Sequence, residues 1–307
     1  MSPGAEPPAK LYPNAGQAVL LVLVALGLQV ATGATAFTIA YAELGDVPAA
    51  INMGMNVWVL IPAISISNAL TVALALRATR ERSLQFLRLR PFAPALLPAV
   101  VLTAVGLAIV LSETDNCFVW LIKLVTGSDM PPPDLIDLST FPVGAAILLI
   151  LVAPLSEEYL FRGLILRGFL TRYRWFAAVA MSAVAFAVVH VNLRQGFLAL
   201  IIGLVFGWWY ARTQSVGPGM IGHAIFNGIA WGAAQMPEVT KAFGLNNGQG
   251  TNLHVPWWLM LGGLALVALG IWSFHRDARV IGTDPSPPPS AVIEPPLLAE
   301  PPLLGPN

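Results

Sequence analysis

Eight apolar runs, each close to the length that crosses a lipid bilayer, leave this chain one kind of architecture. They lie at residues 17–42, 51–76, 92–111, 141–166, 176–191, 195–211, 218–235 and 257–274. A helix of ~17–25 residues spans the hydrocarbon core. In lipid every backbone N–H and C=O must be satisfied inside the structure, so open sheets and lipid-exposed loops are excluded. The spacing therefore predicts an all-α fold, a polytopic transmembrane helix bundle with about eight spans. Only 10% of the residues are charged, against about 25% in soluble domains, which excludes an ordinary soluble enzyme. The first run is too long for the apolar region of a removable signal sequence and is expected to persist as a span.

The basic residues set the orientation. Arg77, Arg80, Arg82, Arg88 and Arg90 follow the second run; Arg167, Arg172 and Arg174 follow the fourth; Arg212, Arg276 and Arg279 follow the sixth and eighth. With Lys10 they share one side. The other side carries Lys123, Arg194 and Lys241 among acids such as Glu113, Asp115 and Asp129. The positive-inside rule then places both termini in the cytoplasm. Heavy use of alanine, glycine, proline and arginine points to a bacterial inner membrane protein. Formal net charge is zero, so no basic excess argues for nucleic acid, and the lipid bilayer is the expected surrounding.

Three loop features add detail. Leu84, Phe86 and Leu87 among arginines predict a short interfacial helix over 83–90. Residues 117–125 are apolar but too short to span, and are expected to lie on the outer surface or re-enter before the prolines at 131–133. The proline-rich stretch 284–307 reads as disordered. Cys117 is the single cysteine, so it forms no intrachain disulfide and is read as a loop or interface residue. There is no internal repeat, which disfavours a transporter built from inverted halves.

Chemistry concentrates on three runs. In the fourth, Glu157, Glu158 and Arg162 interrupt apolar sequence, although each charge at a span's centre costs roughly 2.5–3.5 kcal/mol on insertion scales. Glu158 and Arg162 are four apart and face one another on a helix, while Glu157 is rotated by about 100°. A Glu158–Arg162 pair would leave Glu157 as the lone carboxylate, a candidate general base. The bland reading is a structural ion pair with a spare glutamate facing water. Pro154 upstream loosens the helix. In the fifth run His190 ends the sequence, with Asn192 as a cap or turn residue; a lone histidine there is as readily interfacial as catalytic. In the seventh, His223 and Asn227 share a helical face among Gly217, Gly219, Gly222 and Gly228, which also suits plain helix packing.

Together the motifs Glu-Glu-x-x-x-Arg (Glu157 to Arg162), Phe-x-x-x-His (Phe186 to His190) and His-x-x-x-Asn (His223 to Asn227) resemble the CPBP intramembrane proteases, which include type II CAAX prenyl endopeptidases and bacteriocin-processing or immunity proteins. The resemblance covers residues 141–235 and extends to Gly203, Gly207, Tyr210 and Arg212. It implies an endopeptidase acting on a membrane-anchored protein or peptide. It further implies that Glu157 activates water with help from His190, that His223 and Asn227 stabilise the oxyanion, and that Glu158 and Arg162 form a supporting pair. Glu157, His190 and His223 could instead bind Zn2+ as a two-histidine, one-carboxylate site. The His-Glu-x-x-His motif of soluble zinc proteases is absent, and metal-free catalysis is placed ahead. The competing class is a nonenzymatic proton-coupled transporter, or a membrane scaffold or immunity protein, using the same polar cluster.

The chain divides accordingly into a cytoplasmic segment 1–16, N-terminal helices and loops 17–140, a protease-like core 141–235, an outer loop and last span 236–282, and a tail 283–307. One tension remains. Glu157 lies roughly 15 Å from the cytoplasmic end of its run, His223 nearer that face and His190 nearer the outer one. Helices must tilt, start late or break for the three to meet.

Overall fold

The computed structural model describes residues 11–79, 91–128, 141–245 and 254–280. Every regular element among the described residues is a helix. The expectations for 83–90 and 284–307 lie outside the described residues.

Helix α1, Ala15–Leu44, opens on a capping box in which Asn14 and Gln17 each accept the other's backbone N–H at 2.9 Å. It closes on Gly45, whose φ of 64° is readily adopted by glycine. The second apolar run then departs from expectation. It splits into a short α2, Val47–Gly54, and α3, Val57–Thr79. The break falls at Asn56, whose Oδ1 accepts the N–H of Trp58 at 2.9 Å, a local bond that competes with helix continuation.

Helix α4, Leu97–Thr126, corrects the reading of 92–111 and 117–125. Residues 117–125 neither lie flat nor re-enter; they are its last turns. No glycine or proline lies between Gly106 and Gly127, so nothing stops the helix, and the polar step in the middle finds partners. Asp115 accepts Arg194 Nε and Nη2 at 2.6 and 2.5 Å, both side chains buried, and Asn116 donates to the Gly244 carbonyl at 2.9 Å.

Helix α5 runs over Pro142–Leu170, with π-helical stretches at Ile147–Val152 and Tyr159–Leu166. There follow α6, Trp175–Val188; α7, Leu193–Thr213; α8, Gly217–Ala234; α9, Pro237–Ala242; and α10, Trp257–Val280. Six helices, α1, α3, α4, α5, α7 and α10, are long and apolar enough to cross a membrane. Helix α6, at 14 residues, is shorter than the ~17 that crossing needs, and α8 carries glycines, His223 and Asn227 within its 18 residues. Helices α6 and α8 thus fall outside that set. Leu20, Leu23, Leu261 and Trp272 face outward from α1 and α10, as lipid contact favours. The chain is an integral membrane protein.

Helix α5 is central. Its Leu160, Phe161, Leu164 and Ile165 are buried in one cluster with Leu21 and Val22 of α1, Val72 of α3, Phe186 of α6 and Tyr210 of α7. A second cluster joins α4, α7 and α10 around Trp209 and Phe274. Small residues let the helices approach. A Cβ on Gly106 would lie 2.7 Å from the Gly263 carbonyl, and one on Gly203 would lie 3.0 Å from Ala183 Cβ. The segment before α1 closes the end of α5: Leu11 N–H donates to Thr171 Oγ1 at 3.1 Å, and Arg172 Nε donates to the Leu11 carbonyl at 3.2 Å.

Candidate active site

The geometry of α5 begins with Pro154. Proline has no N–H to give. In a π register, where bonds run from residue i back to i−5, its partner would have been the Leu149 carbonyl. That carbonyl accepts Asn227 Nδ2 from α8 at 2.9 Å. The second π stretch is served likewise, the Phe161 carbonyl accepting Ser182 Oγ from α6 at 3.2 Å. Neighbouring helices therefore supply donors to α5 on both sides of its α-helical insert, Ala153–Glu158, which carries both glutamates. Asn68 of α3 adds a third tie, donating to Ser156 Oγ at 3.2 Å.

Glu158 is 0% exposed and Arg162 1%, so each must be paired. Arg162 Nη1 donates to Glu158 Oε1 at 2.9 Å, and Nη2 donates to the Gly203 carbonyl of α7 at 3.3 Å. The guanidinium lies 4.5 Å from the ring centre of Phe186 and 5.7 Å from that of Phe206, where cation–π attraction adds to the ion pair. The expected pairing of Glu158 with Arg162 is present. Glu158 Oε2 abuts Gly219, where an added Cβ would come within 2.6 Å. Gly219→Ala should cost about 1–3 kcal/mol of stability through overpacking, read as lowered thermal stability in detergent; an unchanged transition would remove this contact from the account.

His223, buried, connects the two glutamates. Its Nδ1 lies 3.2 Å from Glu158 Oε1, and its Nε2 lies 4.0 Å from Glu157 Oε2. An ionised carboxylate only accepts, so the bond to Glu158 assigns the proton to Nδ1 and points Nε2 toward Glu157. Glu157 differs from its neighbour: its side chain is 18% exposed and belongs to no arginine pair among the described residues.

His190 sits in the turn between α6 and α7. Its Nδ1 is 2.8 Å from the Phe186 carbonyl, which only accepts, so Nδ1 carries the proton and Nε2 keeps a lone pair. The rings of His190 and His223 both meet Phe186 edge-on, at 5.0 and 5.9 Å. Asn192 caps α7, accepting Gln195 N–H at 3.0 Å.

The mismatch in depth is resolved by where helices stop and start. Helix α6 ends at Val188, so His190 stands about 22 Å along from Trp175, and Glu157 stands about 20 Å from the adjoining end of α5. Helix α8 starts recessed: a Cβ on Gly163 would touch Val216 at 3.6 Å, placing the start of α8 about 10 Å in from the Leu170 end of α5. From that level His223 and Glu157 lie about 10 and 9 Å further.

Glu157, Glu158, Arg162 and His223 thus form one connected group, with His190 joined to it through Phe186. Asn227 shares the face of His223 but its amide is directed to Leu149, two turns before the glutamates. The Zn2+ alternative fares worse. Among the described residues, the donors that close to within 4.8 Å of one another belong to Glu113, Cys117 and His254, not to Glu157, His190 and His223. The latter set does not fit a metal in this arrangement. Sequence reading missed Asn68, Ser182 and the Phe186–Phe206 embrace of Arg162. The one signal was Ser65, Ser67 and Asn68 inside an apolar segment.

A family model, the type II CAAX prenyl endopeptidase Rce1-like family, matches residues 139–229, the stretch that holds every residue of this group. Over those residues the chain is similar to the CPBP family. Over 77 residues it is 31% identical to "Putative membrane peptidase YdiL" of Bacillus subtilis (strain 168), a match covering 25% of this chain and 32% of that relative. The chain thus matches about a third of that relative's length. No solved structure matches it significantly. The match takes in α5 to α8 nearly complete, and leaves α1, α3, α4 and α10 outside.

Proposed function

We propose that this chain is an intramembrane endopeptidase that hydrolyses a peptide bond in a membrane-anchored protein or peptide. One observation carries the reading: a buried histidine held by an arginine-paired glutamate on one nitrogen faces a second, partly exposed glutamate with the other.

Glu157 is the general base. It takes a proton from water, and the resulting hydroxide attacks the peptide carbonyl to give a tetrahedral oxyanion. His190 Nε2 accepts a hydrogen bond from the same water and orients it. His223, when doubly protonated, donates from Nε2 to the oxyanion, while Asn227, its amide committed to the Leu149 carbonyl, holds α8 against α5. As the intermediate collapses, the C–N bond breaks and protonated Glu157 returns its proton to the departing amine. Glu158 and Arg162 touch no reacting atom; they hold the His223 ring in place. The core occupies residues 141–235, with 17–140 and 236–282 as flanking helices and loops, and both termini on the cytoplasmic side of a bacterial inner membrane.

The test is cleavage of a membrane-anchored reporter peptide by the purified full chain in detergent or liposomes, with new termini located by mass spectrometry. Cleavage is expected, and it should require Glu157. Substrate-driven proton flux without cleavage would instead identify a transporter. Comparing membrane-anchored proteins of cells holding the native chain or Glu157→Gln should then reveal the natural substrate.

A further inference from the structure

Away from the glutamate helix, a second set of chemically reactive side chains converges. Glu113 and Cys117 are four residues apart on α4 and so share a face; His254 reaches them from the segment that enters α10. His254 Nδ1 lies 2.7 Å from Glu113 Oε1, and Cys117 Sγ lies 3.6 Å from the same oxygen. One donor atom from each residue falls within 4.8 Å of both others.

The carboxylate is held for this role. Glu113 Oε2 accepts the Val255 N–H at 2.8 Å and Asn116 Nδ2 at 3.3 Å. Those bonds fix the carboxylate plane and leave Oε1 toward the sulfur and the imidazole, as outer hydrogen bonds do for metal ligands. Asn116 is itself buried and also donates to the Gly244 carbonyl. Cys117 and His254 are exposed, so an ion can reach them.

We propose that Glu113, Cys117 and His254 bind one Zn2+ ion. Tetrahedral zinc, with bonds of about 2.3 Å to sulfur and about 2.0–2.2 Å to nitrogen and oxygen, sets its donors about 3.3–3.6 Å apart. The observed donors need only small side-chain rotations to meet that spacing. A thiolate beside an imidazole selects zinc over magnesium or calcium, which prefer oxygen. Cys117 binds as the thiolate and gives its proton to solvent. Three protein ligands leave one position for water. The ion would tie the later turns of α4 to the start of α10 and, through Asn116, to the end of the α9 region. None of the three residues belongs to the glutamate–histidine group, so the site does not depend on the peptidase reading.

Because Cys117 is the single cysteine of the chain, alkylation reports on this site alone. The purified full chain in detergent, stripped with chelator, is titrated with Zn2+ and pulsed with iodoacetamide. Zinc should slow Cys117 alkylation at least tenfold, in native chain and in Glu157→Gln alike. Cys117→Ser should bind one fewer equivalent of zinc than the native chain, and His254→Ala and His254→Gln should each weaken protection at least tenfold. The proposal is overturned if alkylation is indifferent to excess zinc. It is equally overturned if Cys117→Ser retains the native zinc stoichiometry, or if both His254 variants retain full protection.

Discussion

Glu157→Gln should abolish measurable reporter cleavage, a loss of roughly 10²–10⁴-fold, which is the usual contribution of a positioned acid–base group. Glutamine matches glutamate in size but cannot take a proton from water. The fold should barely respond, because Glu157 is partly exposed and stands outside the buried ion pair, so neutralising it strands no opposite charge. Initial cleavage rates, set beside thermal unfolding in the same detergent, separate the two effects. A variant that unfolds like the native chain but does not cleave assigns the chemistry to Glu157. One that cleaves at the native rate rules out this mechanism. His223→Ala should lose less than Glu157→Gln, since it removes a hydrogen-bond donor and leaves the base in place.

How much of this site was legible beforehand differs from residue to residue. The i,i+4 spacing alone predicted the Glu158–Arg162 contact, because that spacing meets on a helix even where the backbone becomes π-helical from Tyr159, the residue after Glu158. The motif order likewise gathered His190 and His223. What the spacing could not give was the division of His223 between both glutamates, which depends on how deep α8 begins. That depth is set by Val216 lying against Gly163, a tertiary contact with no local signature. Nor could it give the partner of Asn227. The Leu149 carbonyl becomes available only because Pro154 withholds an N–H in a π register, and hydropathy does not distinguish π from α backbone.

The spans show a similar limit. Apolar runs located the helices well where glycine or asparagine ends them, as at Asn14 and Gly45. They failed at α4, where Glu113 to Asn116 read as a membrane exit. A charged step ends a span only if its charges need water. Here Asp115 is satisfied by Arg194, 79 residues away in sequence, and no window-based reading sees a partner at that distance.

The same principle makes Arg162 consequential for stability. Arg162→Met should lower unfolding free energy by about 3–5 kcal/mol, because it leaves Glu158, 0% exposed, without its counter-charge. Loss of the Gly203 carbonyl bond and the contacts to Phe186 and Phe206 acts in the same direction. The double variant Glu158→Gln with Arg162→Met separates charge from packing. With both charges gone, most of the lost stability should return, since replacing a buried pair outright is often near neutral. Cleavage should not return, because His223 Nδ1 then faces a neutral amide that can donate as well as accept and no longer fixes the ring's tautomer. Unfolding titrations in mixed micelles and reporter cleavage on the native chain, Glu158→Gln, Arg162→Met and the double variant complete the cycle. If Arg162→Met unfolds like the native chain, neither the ion pair within α5 nor the Arg162 bond to the Gly203 carbonyl of α7 stabilises the fold. If the double variant recovers cleavage along with stability, Glu158 serves the fold alone, and the orientation of His223 comes from the aromatic rings around it.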